Sequence, residues 1–190
     1  MKNQEFVSND DELVDLLLND KTREVAYKQL VRLYSKKIYW LVRRLVLDHD
    51  DANDVVQEVF IKIYNNLKKF KRESKLYTWI YTIATNEAIN FINKKAKKNN
   101  ISFEEVAYEQ ASNLESDRYF DGDEMQLFLQ KQVAKLPPQQ RLVFQMKYYQ
   151  EMKYEEIAEV LKLTVGALKS NYHHAAKKIE EAIKNHKYEE

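Results

Sequence analysis

Apolar residues recur every three or four positions along most of the chain, which is the spacing of one face of an α-helix. Between about 22 and 47 this pattern predicts one or two helices, with apolar positions Val25, Leu30, Leu33, Ile38, Leu41, Leu45 and Val46. A second series predicts a single helix and comprises Val55, Val56, Val59, Phe60, Ile63, Leu67 and Phe70. A third helix is predicted from about 76 to 95, after a polar loop at 71–75, and a weaker one from 11 to 18.

Residue types that begin and end helices support these elements. Asp50 and Asp51 are good N-cap residues for the second series, and their carboxylates suit the positive end of the helix dipole. In the second half, an apolar series ending at Leu136 predicts a helix that stops at Pro137 and Pro138, because proline cannot continue a helix. The remaining predicted helices span 139–149, 154–161 and about 165–185.

The stretch from 97 to about 124 differs from both flanks. Its apolar spacing is poor, and between 101 and 125 eight acidic residues are opposed by Arg118 alone. A segment with few apolar and many like-charged residues does not bury enough surface to fold. The expected organisation is all-α, with two small helical domains joined by an acidic flexible linker, at 1–97, 125–190 and 98–124 respectively.

Composition narrows the class of protein. Two glycines and two prolines in 190 residues are too few for the turns of a β-sandwich, a barrel or an α/β fold. The absence of cysteine excludes disulfides, thiolate zinc sites and thiol nucleophiles. Apolar runs fall short of the roughly 20 residues of a membrane span, and the first residues do not resemble a signal peptide. We therefore expect a soluble, cytoplasmic protein with no membrane span.

Two short apolar series with a tight turn between them predict a helix-turn-helix at 154–168. Leu163 and Thr164 supply the turn and an N-cap for the second helix, which in this motif enters the major groove of DNA. Its exposed side would offer phosphates and base edges the side chains of Lys169, Ser170, His173, His174 and Lys177. A plain αα-hairpin inside a core is the alternative.

A catalytic alternative rests on Asp50, Asp51 and Asp54, which fit the DDxxD pattern that holds magnesium and a diphosphate in helical isoprenoid enzymes. The chain is short for that fold and has no second acidic motif of this kind, whereas carboxylates at a helix start also serve as caps. The histidines lack the spacing of a zinc or di-iron site, and no glycine-rich phosphate loop occurs. The residues therefore indicate no catalytic centre, and we expect no metal and no cofactor.

Three segments, taken in order, resemble one family. They are 51–60 (DANDVVQEVF), the stretch from 70 through 77–80 (YTWI) to 84–86 (ATN), and 136–141 (LPPQQR) leading into the helix-turn-helix. Over roughly 22–97 and 125–184 the chain closely resembles the extracytoplasmic-function, or group 4, sigma factors of bacterial RNA polymerase. The resemblance implies a sigma region 2 bundle that binds core polymerase and the −10 element, followed by a sigma region 4 helix-turn-helix that binds the −35 element.

The resemblance also implies which residues carry these activities. Asp54, Gln57 and Glu58 correspond to the surface that docks on the clamp helices of the large polymerase subunits, β and β′. The residues implied for −10 binding are Lys71, Arg72, Ser74, Lys75, Tyr77, Asn86, Lys94 and Lys95. Trp79 is expected to pack beneath the loop. The acidic linker would thread through polymerase channels and imitate a phosphate backbone, or serve only as a solubilising tether.

Three places depart from the family pattern. Arg72 stands where a small residue, often glycine, is frequent, and Asn90 and Asn93 stand where aspartate and arginine are common. The family's frequent Arg-Ala-Arg near the end of the recognition helix is His-Ala-Ala at 174–176. A neutral histidine cannot form the two hydrogen bonds by which arginine grips guanine, so this departure predicts weak −35 affinity.

The sequence thus predicts a sigma factor, a non-enzymatic subunit that recruits core polymerase, recognises −35 duplex and melts the −10 region. Its expected partners are bacterial core RNA polymerase and promoter DNA, and an anti-sigma factor or a DNA-bound recruiting protein is left open. The alternatives are a stand-alone helix-turn-helix regulator of transcription and a structural helical adaptor. A regulator would have no use for the polar face at Asp54, Gln57 and Glu58.

Overall fold

The structure, a computed structural model, describes residues 10–102, 105–106, 111 and 123–186. The regular elements in these ranges are all helical, as the sequence predicts. The α-helices are α1 (Asp10–Leu18), α2 (Arg23–Val46), α3 (His49–Asn66), α4 (Leu76–Asn99), α5 (Glu124–Ala134), α6 (Pro138–Phe144), α7 (Tyr154–Leu161) and α8 (Val165–His186). A 3₁₀ turn, Leu67–Lys69, follows α3, and a π-helical segment, Gln145–Tyr149, continues α6. Most of the predicted linker at 98–124 lies outside the described residues.

The first half is a bundle in which α2, α3 and α4 pack against one another and α1 lies against α2. Its core is built from the predicted apolar series, including Leu30, Ile38, Leu41, Val55, Val59, Ile63, Ile80, Ala84, Ala88 and Ile92. Two members of the apolar series that marks α2 lie outside this core, since Val25 is 56% and Leu33 is 39% exposed. At 100° per residue, both side chains lie about 100° or more from the middle of the buried stripe of α2.

Helix α3 begins at a different cap from the one predicted. The carboxylate of Asp48 accepts the backbone N–H of Asp51 at 2.8 Å, so Asp48 is the N-cap. Asp50 and Asp51 lie in the first turn, where their charge suits the helix dipole but they do not cap it. Asp51 is paired instead with Lys95 of α4, at 2.5 Å.

The second half contains α5 to α8, and its boundaries differ little from the predicted ones. Pro138 opens α6 instead of preceding it, which suits proline because the first helical N–H has no partner inside the helix. In the helix-turn-helix, α7 packs on α8, and the hydroxyl of Thr164 accepts the backbone N–H of Ala167 at 3.2 Å. The predicted cap of the second helix is therefore confirmed.

The two halves share one hydrophobic core. Leu76 and Ile80 of α4 belong to the same buried cluster as Met152 before α7, and Ile157 and Val160 within it. A second cluster, formed by Val133, Leu136, Phe144, Ala175 and Ile179, holds α5, α6 and α8 together. Among the described helices, none is both long and apolar enough to span a membrane.

Candidate polymerase and nucleic-acid interfaces

The predicted polymerase-docking residues form one outward face of α3. Asp54, Gln57 and Glu58 are all exposed, while Val55 and Val59 on the same helix are buried against the bundle. Spacings of three and four residues place the polar side chains next to one another on the helix surface. The buried valines on the other side of the helix therefore hold this polar face in a fixed orientation.

One further residue extends this face, and the sequence reasoning missed it. Ile61 lies one turn after Gln57 and is 47% exposed. The centre of a protein–protein interface is more apolar than the rest of the surface, so an exposed isoleucine among these polar residues suits such a contact. The sequence could have pointed to this residue, because Ile61 lies outside the series of apolar positions that is buried in its helix. We add Ile61 to the candidate docking face.

The loop at 71–75 is anchored at both ends by buried residues. Phe70 and Leu76 are 8% and 2% exposed, respectively. The ring of Trp79 lies 5.2 Å from that of Phe70 and is partly buried against the core. The prediction that Trp79 packs beneath the loop is confirmed.

Arg72 combines an unusual backbone conformation with an ion pair. Its φ angle is 60°, in the left-handed region that glycine enters most easily. Its guanidinium forms a salt bridge with Asp15 of α1. The departure from the family pattern at this position is therefore an arginine in a conformation suited to glycine.

Lys75 and Tyr77 face a carboxylate from the other half of the chain. The ammonium of Lys75 lies 3.2 Å from Glu156 of α7, and the Tyr77 hydroxyl is also hydrogen-bonded to that side chain. Burial would raise the pKa of Glu156, but hydrogen bonds from Tyr77, from the Lys153 backbone and from Lys75 outweigh it and lower the pKa. Burial, and secondly the bond to Glu156, raises the pKa of Tyr77 to about 12.

A cavity of about 550 Å³ lies beside the loop. One wall is the loop itself, including Arg72, Ser74 and Lys75, and the facing groups include Asp10 and Asp11 of α1. Glu159 of α7 completes the lining. The basic side of the loop thus faces carboxylates from two other helices.

The rest of the predicted −10 set is spread along the chain. Lys71 is exposed in the loop, and Asn86 and Lys94 are exposed on α4. At 1.5 Å per residue they lie about 15 and 27 Å along the helix from its start at Leu76. Lys95, predicted to hold phosphate, is paired with Asp51, so a phosphate would have to compete for it.

The predicted −35 residues form the outward face of α8. All five are exposed, and they are Lys169, Ser170, His173, His174 and Lys177. Leu168, Ala175 and Ile179 are buried on the opposite side. Lys177 lies 4.0 Å from Glu181, and both side chains are more than 60% exposed, so this pair leaves the lysine accessible to a phosphate. Within the described ranges, histidines and carboxylates form no cluster able to hold a metal ion.

Comparison with known proteins identifies the family. The profile of Sigma-70 region 2 matches residues 30–98, and that of Sigma-70 region 4 matches residues 129–179. The ECF RNA polymerase sigma factor SigW of Bacillus subtilis is 32% identical over 169 residues, covering 84% of this chain and 90% of that protein. The chain belongs to the extracytoplasmic-function sigma factors of RNA polymerase. The RNA polymerase sigma-H factor of Pseudomonas aeruginosa is 30% identical over 182 residues, covering 92% and 93% of the two chains.

Solved structures share the fold. CnrH, solved in complex with the cytosolic domain of CnrY, superposes with a TM-score of 0.69 at 19% identity and covers 93% of this chain and 97% of that chain. The sigma factor RpoE of Bartonella quintana, solved with the anti-sigma factor NepR, gives a TM-score of 0.65 at 21% identity, with 83% and 96% covered. As a sigma factor, this protein binds core RNA polymerase and directs initiation at specific promoters. The stand-alone regulator is not favoured, because both sigma regions are present.

Proposed function

We propose that the sigma factor divides its work between two separate surfaces. In this proposal 1–97 docks on core polymerase through Asp54, Gln57 and Glu58 and binds the −10 element, and 125–190 binds −35 duplex through the outward face of α8. The segment at 98–124 tethers the two. The observation that carries the proposal is that the α3 face and the α8 face are both exposed and each is backed by buried residues. One chain can therefore hold polymerase and duplex DNA at once.

We propose that the loop at 71–75 captures the −10 strand after melting. A base taken out of the stack needs a pocket, hydrogen bonds to its edge and aromatic or cationic neighbours. The side chains of Lys71, Arg72, Ser74, Lys75 and Tyr77 supply hydrogen-bonding, cationic and aromatic groups, and three of them, Arg72, Ser74 and Lys75, line the cavity beside the loop. Asn86 would read a base edge, and Lys94 and Lys95 would hold phosphates upstream.

The remaining assignments follow from the family. Sigma factors are non-catalytic initiation factors, and we propose no enzymatic activity, metal or cofactor for this chain. Because it acts in transcription, we propose that this chain is located in the cytoplasm. RpoE of Bartonella quintana was solved with the anti-sigma factor NepR, and we include an anti-sigma factor among the proposed partners. A DNA-bound recruiting protein is a second proposed partner, because the recognition helix carries histidines where arginines are frequent.

Charge reversal on α3 tests the docking assignment. The double variant Asp54→Lys/Glu58→Lys should bind core polymerase at least about 30-fold more weakly, since unpairing polar groups in an interface costs about 2–5 kcal/mol. Binding is measured with labelled sigma factor and purified core polymerase, and promoter-dependent transcripts are measured alongside.

The matched control is Glu24→Lys/Glu155→Lys, which makes the same charge change at two exposed positions on α2 and α7. It should bind core polymerase as the wild type does. Unchanged core affinity in the α3 double variant, with its helical circular dichroism intact, would contradict the docking assignment.

A further inference from the structure

The outward face of α8 carries two kinds of basic side chain. Lys169 and Lys177 lie four residues before and four residues after His173, and residues four apart are neighbours on a helix surface. The rings of His173 and His174 lie 5.8 Å apart, centre to centre. A lysine keeps its charge throughout the physiological pH range, whereas histidine is the side chain that changes its charge between pH 5 and 8. Half of the basic groups on this face therefore depend on pH for their charge.

Both histidines point away from the packed side of the helix. The buried residues of α8 are Leu168, Ala175 and Ile179. At 100° per residue, His173 and His174 lie about 140° and about 120° from Leu168, in opposite directions around the helix. Both side chains are exposed. A DNA duplex laid along the outward face would therefore meet the two rings side by side.

The other charged groups near α8 do not titrate in the range of histidine. On α8 itself, Lys177 lies 4.0 Å from Glu181, and the ammonium of Lys178 donates to the side chain of Gln140 at 3.1 Å. Helices α5, α6 and α7 pack on the buried side of α8. Their titratable and charged groups are Glu124, Lys131, Arg141, Tyr154, Glu155, Glu156 and Glu159. Since carboxylates ordinarily titrate near pH 4 and tyrosines near pH 10, the charge around the two rings stays constant between about pH 6 and 8.

Protonation of these rings and binding of DNA favour each other. In the free chain a protonated ring lies beside Lys169, Lys177 and the second ring, and these like charges oppose its protonation. The phosphates of a bound duplex offset that repulsion, so the rings bind protons more readily in the complex. Because such coupling is reciprocal, protonation strengthens DNA binding by the same factor. The affinity for duplex therefore rises as the pH falls through the histidine range.

We propose that His173 and His174 make −35 binding by this sigma factor depend on pH, by donating from their protonated rings to phosphates of the duplex. This rests on the proposed function of the α8 face in −35 binding. A neutral imidazole carries no charge and donates from one nitrogen, whereas the protonated ring donates from both. The protons come from solvent when DNA binds and return to it on release. The −35 contact is thus weak above neutral pH and stronger below it.

The first experiment measures binding of full-length chains to one fluorescent duplex of about 30 base pairs, at about pH 6 and about pH 8 and at several salt concentrations. Because the proposed contacts are to phosphates, a duplex of mixed sequence reports them. His173→Gln/His174→Gln is neutral at both pH values, and His173→Lys/His174→Lys is charged at both. The control His186→Gln removes a histidine from the end of the same helix, where its ring stacks on Phe128 at 4.2 Å.

The wild type should bind about fivefold more tightly at the lower pH. The slope of log affinity against log salt should steepen there by about 0.9 for each histidine that gains a phosphate. The glutamine pair should bind weakly and the lysine pair tightly, each with the same affinity at both pH values. His186→Gln should behave as the wild type does. Equal wild-type affinity at the two pH values, or a wild-type pH response in the glutamine pair, would overturn the proposal.

A second experiment counts protons directly. Calorimetric titration of the same duplex, in two buffers that differ in ionisation enthalpy, gives the protons taken up when the complex forms. The wild type should take up protons near neutral pH, and His173→Gln/His174→Gln should take up fewer. Circular dichroism checks that both chains keep their helices. Equal proton uptake in the two chains would overturn the proposal.

Two further variants separate this proposal from the proposed function. Lys169→Ala and Lys177→Ala remove charges that do not depend on pH, and each should weaken duplex binding by a similar factor at both pH values. Unchanged binding in both lysine variants would count against the −35 assignment of the α8 face itself. Weakened binding in them, together with a glutamine pair that responds to pH as the wild type does, would overturn the role of the histidines alone.

Discussion

Arg72 shows how one residue can carry two opposed effects. In the left-handed conformation its Cβ lies close to the following carbonyl oxygen, a contact that glycine avoids. Its guanidinium, however, pairs with Asp15 and ties the loop to α1. Glycine at this position would remove the backbone strain but would also remove the ion pair with Asp15.

Substitution at Arg72 separates these effects. Both Arg72→Ala and Arg72→Gly remove the ion pair, so their difference in stability reports the backbone alone. We expect Arg72→Gly to be more stable than Arg72→Ala by about 0.5–1 kcal/mol, measured by urea unfolding. At Lys71, whose φ is not positive, the order should reverse, with alanine more stable than glycine. Alanine as stable as glycine at position 72 would contradict this reasoning.

Glu156 takes part both in its own helix and in the contact between the two halves of the chain. It accepts a hydrogen bond at the start of its own helix and pairs with a lysine from the other half. Its pKa is lowered from the ordinary value of 4.5, so the folded chain favours the ionised carboxylate. A carboxylate with a lowered pKa stabilises the fold above its ordinary pKa, and this stabilisation is lost as the pH falls through the lowered value.

The free energy of unfolding should therefore depend on pH through Glu156. The difference in unfolding free energy between wild type and Glu156→Gln should be largest near neutral pH and should shrink as the pH falls below 4.5. Urea unfolding at a series of pH values measures it. Glu155→Gln, on the same helix, is measured alongside as the control for removing one acid. A constant difference for Glu156→Gln across the acid range would show that the carboxylate is not held in its ionised form.

At the scale of elements, helix α3 depends on its first turn. Asp48 caps it, Asp50 is exposed in the first turn, and Asp51 pairs with α4. Three neighbouring aspartates of the same charge thus have three different roles. Because α3 carries the proposed docking face, fraying at the start of the helix would loosen the backbone one turn before Asp54.

Substitution at the start of α3 distinguishes these roles. Asp48→Ala should lower the free energy of unfolding by about 1 kcal/mol, because a backbone N–H at the helix start loses its acceptor. Asp48→Asn should retain most of the stability, since asparagine caps equally well. Asp50→Ala should lose only a few tenths of a kcal/mol, from the helix dipole. The values come from urea unfolding, and equal losses in Asp48→Ala and Asp50→Ala would contradict the cap assignment.

At the scale of the whole molecule, a shared core makes the two halves depend on each other. The buried cluster runs from α1 through α4 into α7 and includes Leu168 of α8. Both tryptophans, Trp40 and Trp79, lie in the first half. Their fluorescence reports the first half, whereas circular dichroism reports helices in both.

Thermal unfolding should show this dependence directly. In the wild type, the transitions seen by tryptophan fluorescence and by circular dichroism should coincide, because neither half keeps its buried surface without the other. In Tyr81→Phe/Glu156→Gln, which weakens the contact of α4 with α7, the two midpoints should move apart. Glu155→Gln should keep them together. Separate transitions in the wild type would show that the halves fold independently.

The sequence by itself determined the helices and the family. Helical hydrogen bonds join residues four apart, so the spacing of apolar residues, the proline pair and Thr164 locate most elements within a few residues. The same local pattern predicted the helix-turn-helix and the exposed face that carries His173, whereas the residues around Asp54 came from the family resemblance. The local pattern did not predict the N-cap of α3, because Asp48 and Asp50 are both suitable caps and nothing local distinguishes them.

Only the tertiary structure decided which charges meet. Asp15 and Arg72 are 57 residues apart, and Lys75 and Glu156 are 81 residues apart. Nothing in the local pattern distinguishes Glu156 from Glu155, because each is an acid in the first turn of α7. Packing of the apolar side of α7 on α4 turns one of them toward the loop and leaves the other in solvent. Such pairs depend on how whole helices are oriented, and that is settled by burial of the shared core.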